Sequence, residues 1–465
     1  MTERRTNPLS VVFAAILTLS SCGFAGETET AERPNLVFIL ADDMGWADLG
    51  CYGHRFHETP VIDQLARDGM RFTDFYATPV CSSTRSTILT GQYSARTGIT
   101  DFIPGHYRPF EKLVVPPIDH HLQQGIRTPG NVLRDAGYRT AHFGKWHVGN
   151  DAAHQPDQHG YEFTETQLPA EMKGRKAAGP KKIDLINNAS LWFIRENHDR
   201  PFFLTMSHHA VHIPVEARES TVARYREKTP PDTGINNPVY AAMTEDLDTS
   251  IGRILALLDE LHLTEKTIVV FASDNGGLRQ TFTGKGDIIT TNAPLRDEKG
   301  TLYEGGVRVP LIVRWPGVVK GGTVCSVPST TADLLPTFCE MGGTTLPEQP
   351  IDGLSLAGLL RGATQNLNRD AVYFHYPHYH HSRPAGAIRA GDWKLIEFFD
   401  DNSLELYNLS HDIGEQNNVS GQHPQRTQEL LQRLRSWRKA TGARMPTKNP
   451  DYDPARASEW GKRQG

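Results

Sequence analysis

Cysteine is scarce in this chain of 465 residues: there are five, and no two stand in a Cys-x-x-Cys pair, which removes the usual spacing of a thiolate zinc site. Positive charge is not in excess either. A net charge of −5 lacks the basic footprint of a nucleic-acid binder, although it leaves room for a local basic pocket. The apolar run Leu9 to Leu19 is too short to span a bilayer. No repeat or low-complexity stretch is present. What remains, 38% hydrophobic and 22% charged residues, is ordinary globular material, long enough for one large α/β domain and a smaller one.

The first residues have the layout of an export signal, over residues 1–25: Arg4 and Arg5, the apolar run, then small residues. Two processing outcomes compete. Leu19-Ser20-Ser21-Cys22 is similar to a lipoprotein box with Cys22 as the lipidated residue, and this is slightly favoured; Gly23-Phe24-Ala25 suits ordinary cleavage. The expected location is therefore outside the cytoplasm, as a periplasmic protein, a lipoprotein held at a membrane by lipid alone, or a secreted protein. With Cys22 and Cys81 set aside, Cys51, Cys325 and Cys339 remain. One disulfide would suit an exported chain, Cys325 with Cys339 being the first choice among pairings that stay open.

Asn35 to Leu40 is a continuous apolar run, the pattern of a strand buried on both faces. Helices with clear start and stop signals follow: Thr59-Pro60 to Gly69, and Thr128-Pro129 to Gly137. Strands are expected at Arg71 to Ala77, Thr140 to Phe143, Phe202 to Met206, Thr267 to Ala272 and Val309 to Arg314. A long helix is expected from Pro238 to Leu261. Lys173 to Lys182 reads as an exposed loop. Alternating strands and helices predict an α/β fold with a large, mostly parallel sheet flanked by helices. Beyond a polar linker at Gly362 to Asn368, a hairpin (Trp393 to Phe399, Leu404 to Leu409) and a helix from Gln428 to Lys439 predict a smaller antiparallel sheet plus helix. The expected division is 33–361 for the catalytic domain, 369–443 for the C-terminal subdomain and 444–465 for a tail.

Polar residues stand just past four strands: Asp42 and Asp43; Lys145 and His147; His208, His209 and His212; Asp274 and Asn275. Ligands of open α/β sheets bind outside the carboxyl ends of strands, so these residues converge. Asp42, Asp43, Asp274 and Asn275 offer oxygen donors, which suit a hard divalent cation such as calcium or magnesium better than zinc. Cys81 opens a helix that Gly91 ends, which places its side chain at the positive end of the helix dipole with Arg85 one turn later. A phosphatase-type thiolate loop would need arginine where Thr87 stands.

The tokens Cys81, Arg85, Leu89, Thr90 and Gly91 resemble the signature of the type I sulfatases, in the alkaline phosphatase superfamily, whose cysteine becomes formylglycine. The family's usual Pro or Ala two residues after that cysteine is Ser83 here. Gly144 to Gly149 resembles a second family signature, His212-Ile213-Pro214 its His-x-Pro, and Lys299 to Arg308 its lysine before Tyr-Glu-Gly-Gly. The resemblance implies one divalent cation, most often calcium, on Asp42, Asp43, Asp274, Asn275 and the modified Cys81, and a formylglycine-generating or sulfatase-maturing enzyme as partner. It also implies catalytic roles for Cys81, Arg85, Lys145, His147, His212 and Lys299. A hydrated formylglycine would attack sulfur, its hydroxyl acidified by the metal and Arg85. Lys145 and Lys299 would hold sulfate oxygens, His212 would protonate the leaving oxygen, and His147 would help expel sulfate.

The rim of the pocket is expected in Tyr373 to Pro384, where His378, His381 and Arg383 could grip a sugar; packing between the two domains is an equal alternative. The expected activity is removal of sulfate from an ester, with sulfated polysaccharide fragments the preferred substrate. Two rivals stand beside it. One is a phosphatase or phosphonate monoester hydrolase of the same superfamily, disfavoured by asparagine at 275; the other is a glycan-binding protein in which Cys81 stays unmodified.

Overall fold

Strand β1 (Asn35–Ala41) is buried along its whole length, and its two faces look into two different cores. Val37, Ile39 and Ala41 pack with the helices Ile183–Asn197 and Pro238–Glu260. Leu36, Phe38 and Leu40 pack with Ile88, Leu89 and Phe338 on the other side. This is why its sequence shows no polar alternation. The computed structural model describes residue 2 and residues 33–461, except 173, 175–177, 233 and 281–287. The export signal, with Cys22, and part of the loop from Lys173 to Lys182 lie outside the described residues.

Strands β2 (Met70–Tyr76), β4 (Arg139–Gly144), β5 (Phe202–Ser207), β6 (Thr267–Ser273), β7 (Arg308–Arg314) and β8 (Thr323–Cys325) join β1 in the order β4-β5-β1-β6-β7-β2-β8, and the short β9 (Ser329–Thr330) also pairs with β2. A two-residue strand, β3 (Leu113–Val114), lies outside this sheet. The pairs β1 with β5, β1 with β6 and β4 with β5 are parallel. β7 runs antiparallel to both neighbours, β6 and β2. The sheet is thus mostly parallel, as expected, with one reversed strand that an apolar run cannot announce.

The helix starts differ in chemistry. Thr128 caps its helix through a reciprocal pair with Asn131. Thr59 makes no cap bond; its hydroxyl accepts from Gly50 N and donates to Asp63 instead. The second sheet is antiparallel, β10 (Val372–Tyr376), β11 (Ala385–Ala390), β12 (Trp393–Phe398) and β13 (Leu404–Asn408), and is covered by the helix Pro424–Thr441 through Leu430, Leu431 and Leu434. Lys394, on β12, sits fully buried between Glu304 (2.8 Å) and Glu415 (2.9 Å), tying this sheet to the segment that follows Lys299. A last strand, β14 (Thr447–Lys448), pairs with β3. Cys325 and Cys339 are free thiols, so the disulfide first chosen for them is corrected: they lie in separate apolar clusters. No helix among the described residues is long and apolar enough to cross a membrane.

Candidate active site

The carboxyl ends of β1, β4, β5 and β6 meet the amino end of the helix Cys81–Thr90. Asp43 N donates to Asp274 Oδ1 (3.1 Å), and Asn275 Nδ2 donates to Asp43 Oδ1 (2.8 Å), locking the end of β1 to the end of β6. Asp43 and His147 both take left-handed backbone conformations, φ 63° and 61°. That geometry is uncommon for residues other than glycine, and it turns each side chain back toward the site.

Two ammonium groups close the centre. Lys145 Nζ lies 2.6 Å from Asp42 Oδ2, and Lys299 Nζ lies 2.6 Å from Asp43 Oδ1. Cys81 Sγ is 3.2 Å from His147 Nδ1, and His147 Nε2 donates to Ile103 O at 2.9 Å. A carbonyl oxygen can only accept, so Nε2 carries a hydrogen and Nδ1 is the atom that faces Cys81. His212 Nε2 stands 3.6 Å from Asp43 Oδ2, while its Nδ1 donates to Ile213 O.

These charges set the protonation of the site. Burial alone would raise Asp42, but Lys145, His212, Arg85 and Lys299 hold its carboxyl well below the usual range. Burial also opposes ionisation of Cys81, and Lys145, His147 and Lys299 override it, so the thiol is held well below its ordinary value. At Asp274, burial and the neighbouring Asp42 win over Arg85, and the carboxyl is pushed up to about 8.

Among the described residues, Asp42 Oδ1, Asp43 Oδ2 and Asn275 Oδ1 are buried side-chain oxygens without a hydrogen-bond partner. Buried oxygens in that condition are costly unless something positive meets them. Donor atoms of Asp42, Cys81 and Asp274 lie within 4.8 Å of one another, as do those of Asp42, Asp43 and His212. The donor set is rich in oxygen and suits a hard cation.

A cavity of about 400 Å³ opens over this centre. Cys81, Lys145, His147, His212, Lys299 and Asp42 line it. Arg85 does not. Its Nε and Nη2 donate to Asp274 Oδ2 (3.1 and 2.7 Å), and its Nη1 donates to Lys145 O (2.7 Å) and Ser207 Oγ (2.5 Å). It therefore stands behind the cavity, joining the ends of β4, β5 and β6. Ser83 is buried and its hydroxyl donates to Val80 O at 3.0 Å.

The three residues expected to grip a sugar are placed elsewhere. His378 is fully buried, with its Nε2 2.8 Å from Thr100 Oγ1. Arg383 pairs with Asp400 and Asp401. His381 packs its Nδ1 on Lys299 O. The ring that lines the cavity from this stretch is His380, joined there by Phe102, Lys181 and His209. His380 fits because Gly300 has a left-handed φ of 81° and no Cβ, which would otherwise meet His380 Nδ1 at 1.5 Å. The dense His and Tyr composition pointed to the right stretch; no periodicity in an irregular loop could say which ring turns inward.

Residues 34–344 match the family model described as Sulfatase, and residues 297–440 match the model of the N-sulphoglucosamine sulphohydrolase C-terminal region. The chain is 32% identical to a sulfatase of Formosa agariphila, with 92% of each chain covered. It is also 32% identical to arylsulfatase A of Homo sapiens, with 87% of each covered. It is 30% identical to N-acetylgalactosamine-6-sulfatase of Canis lupus familiaris, over 87% of this chain and 79% of that one. Among solved structures, Ps i-CgsB in complex with k-i-k-neocarrahexaose superposes with a TM-score of 0.73 at 25% identity, covering 90% of this chain and 95% of that one.

Proposed function

This chain belongs to the sulfatase family, and from that premise we propose that it removes sulfate from a sulfated carbohydrate through a formylglycine formed from Cys81, with one divalent cation, calcium. The observation that carries the proposal is the cavity that Cys81 shares with Lys145, Lys299, His147 and His212, with Asp42 in its wall and Asp43 and Asp274 beside it. The carbohydrate is supported by the relatives and neighbours that act on or hold sugars.

Asp42, Asp43, Asp274 and Asn275, with position 81, would hold the cation, which supplies Lewis acidity to a sulfate oxygen. Formylglycine, as its hydrate, supplies a hydroxyl for attack on sulfur and a second one for release of the product. Everything else falls to ordinary side chains. Lys145 and Lys299 keep their protons against burial because Asp42 and Asp43 adjoin them, so both present fixed positive charge to sulfate oxygens as negative charge grows there. His147 presents Nδ1 toward position 81, and in its neutral form would take a proton from the group there. His212 donates Nδ1–H to a carbonyl, so a proton at its Nε2 is the one available to the leaving oxygen. Arg85 acts through others, orienting Asp274 and the backbone of Lys145.

We also propose the export signal at 1–25, the maturing enzyme as partner and the division at 33–361, 369–443 and 444–465. The test is peptide mass spectrometry across Cys81 to Arg85, on protein made in its own host or with a maturing enzyme, with parallel assays on 4-nitrophenyl sulfate and 4-nitrophenyl phosphate. Formylglycine and a preference for the sulfate are expected. Full sulfatase activity in protein carrying only the thiol, or a preference for phosphate, would overturn the reading.

A further inference from the structure

After the helix Pro424–Thr441 the chain turns back, beyond the regions matched by the two family models, the later of which ends at residue 440. The segment 442–461 then runs as a strap along residues 107–114. Thr447 and Lys448 pair with Val114 and Leu113. Asn449 Nδ2 clamps the carbonyls of Pro109 (2.8 Å) and Glu111 (2.7 Å). The guanidinium of Arg456 lies 3.5 Å over the ring of Phe110, and Gly461 N donates to Tyr107 O at 3.0 Å.

This many attachments could bury every ring they carry. They do not: Trp460 is left 45% exposed and Tyr107 37%. Trp460 is also close to the cavity. Its ring is 5.3 Å from that of His106, which is 4.1 Å from His380 and 4.3 Å from Phe102, two residues of the cavity wall. Arg108 stacks over Trp460 at 4.2 Å, its Nη2 reaches His380 O at 3.4 Å, and its Nη1 lies 3.4 Å from Glu111 Oε1, a long pair that a substrate anion would have to share or displace.

From this geometry, and resting on the sulfatase reading above, we propose that the strap and residues 106–108 form a binding platform for the sugar units next to the one whose sulfate enters the cavity. The flat, half-exposed ring of Trp460 meets the C–H face of a pyranose, and the guanidinium of Arg108 meets a sulfate or carboxylate on the same unit. Exposed aromatics beside arginine are the residue types that carry most binding energy at surfaces, and a planar guanidinium suits oxyanions. The platform makes the tail a determinant of substrate length: a monosaccharide sulfate fills the cavity without touching Trp460, and an oligosaccharide reaches it.

The test compares the full-length protein with Trp460→Ala and Trp460→Phe. Equilibrium binding and turnover are measured on disaccharides and hexasaccharides of carrageenan and of chondroitin 6-sulfate, with 4-nitrophenyl sulfate as the short substrate. At least one hexasaccharide should bind the parent more tightly than its disaccharide does. Trp460→Ala should weaken that hexasaccharide by about tenfold, in KM rather than kcat, while Trp460→Phe restores most of it and KM for 4-nitrophenyl sulfate moves less than twofold. Hexasaccharides that bind no better than disaccharides, or an equal loss on the short substrate, would overturn the platform. Failure of the sulfatase reading shows differently, as no turnover of any sulfate ester while the Trp460-dependent hexasaccharide affinity persists.

Discussion

Replacing Arg85 by lysine keeps its charge and removes its shape, which separates the two. The guanidinium makes four donor contacts, two to Asp274 and one each to Lys145 O and Ser207 Oγ. A lysine ammonium has one nitrogen and no planar fork, so it can serve Asp274 or the Lys145–Ser207 pair but not both. Two contacts from a charged donor are lost, each worth about 1.5–3 kcal/mol, and the acceptors left behind are buried. A loss of about 3 kcal/mol in transition-state stabilisation, on the order of 150-fold in kcat/KM, follows if the two strand ends must be held together for catalysis. The assay is hydrolysis of 4-nitrophenyl sulfate, with formylglycine content matched by mass spectrometry. Activity within fivefold of the parent at equal formylglycine content would refute a positioning role that depends on the fork.

Three further outcomes are expected. Because burial and Asp42 push the Asp274 carboxyl up to about 8, it is protonated below that pH and ionised above it. Calcium binding to the metal-free protein should therefore release close to one proton at pH 6.5 and almost none at pH 9.5, read by calorimetry in buffers of different ionisation heat. His212→Ala should slow sulfate esters of alcohols far more than those of nitrophenols, and an equal loss across leaving groups in a kcat/KM series would count against proton donation. Lys394→Met should leave Glu304 and Glu415 facing each other and cost about 3–5 kcal/mol in urea unfolding. Burial and Glu304 push Glu415 up to about 7 even with Lys394 lowering it, and removing Lys394 raises it further, so the deficit should be smallest at pH 5.5, where that carboxyl is protonated in both proteins, and should grow as pH rises above 7.

The strand ends were legible because buried strands write continuous apolar runs and the residue after each run is polar. Asp42, Lys145, His212 and Asp274 could be set at one place from that alone. The pairing inside the site was not, since which lysine faces which aspartate depends on the order of strands β4-β5-β1-β6 and on the left-handed turns at Asp43 and His147. The direction of β7 was hidden for a related reason: an apolar run reads alike in either sense. His380 was missed in favour of His378 and His381 because the choice among neighbouring rings is made by Gly300, eighty residues earlier in the chain. Arg85 shares a helix face with Cys81, as the four-residue spacing implies, but its fork is taken up by Asp274, Lys145 O and Ser207, partners that no local spacing announces.

The burial of the helix that begins at Cys81 sets an order of events during synthesis. Ser82, Ser83 and Thr84 are wholly shielded from solvent and Arg85 nearly so, so in the finished protein no enzyme could lay this segment along its own surface. Both sheet strands that precede it, β1 and β2, find their partners late. β1 pairs with β5 and β6, β2 with β7, β8 and β9, and the earliest of these begins at Phe202. The growing chain therefore carries Cys81 past the point of manufacture with no sheet to close over it for more than a hundred residues. The modification proposed above for Cys81 would have its window while the chain is incomplete, before β5 and β6 arrive.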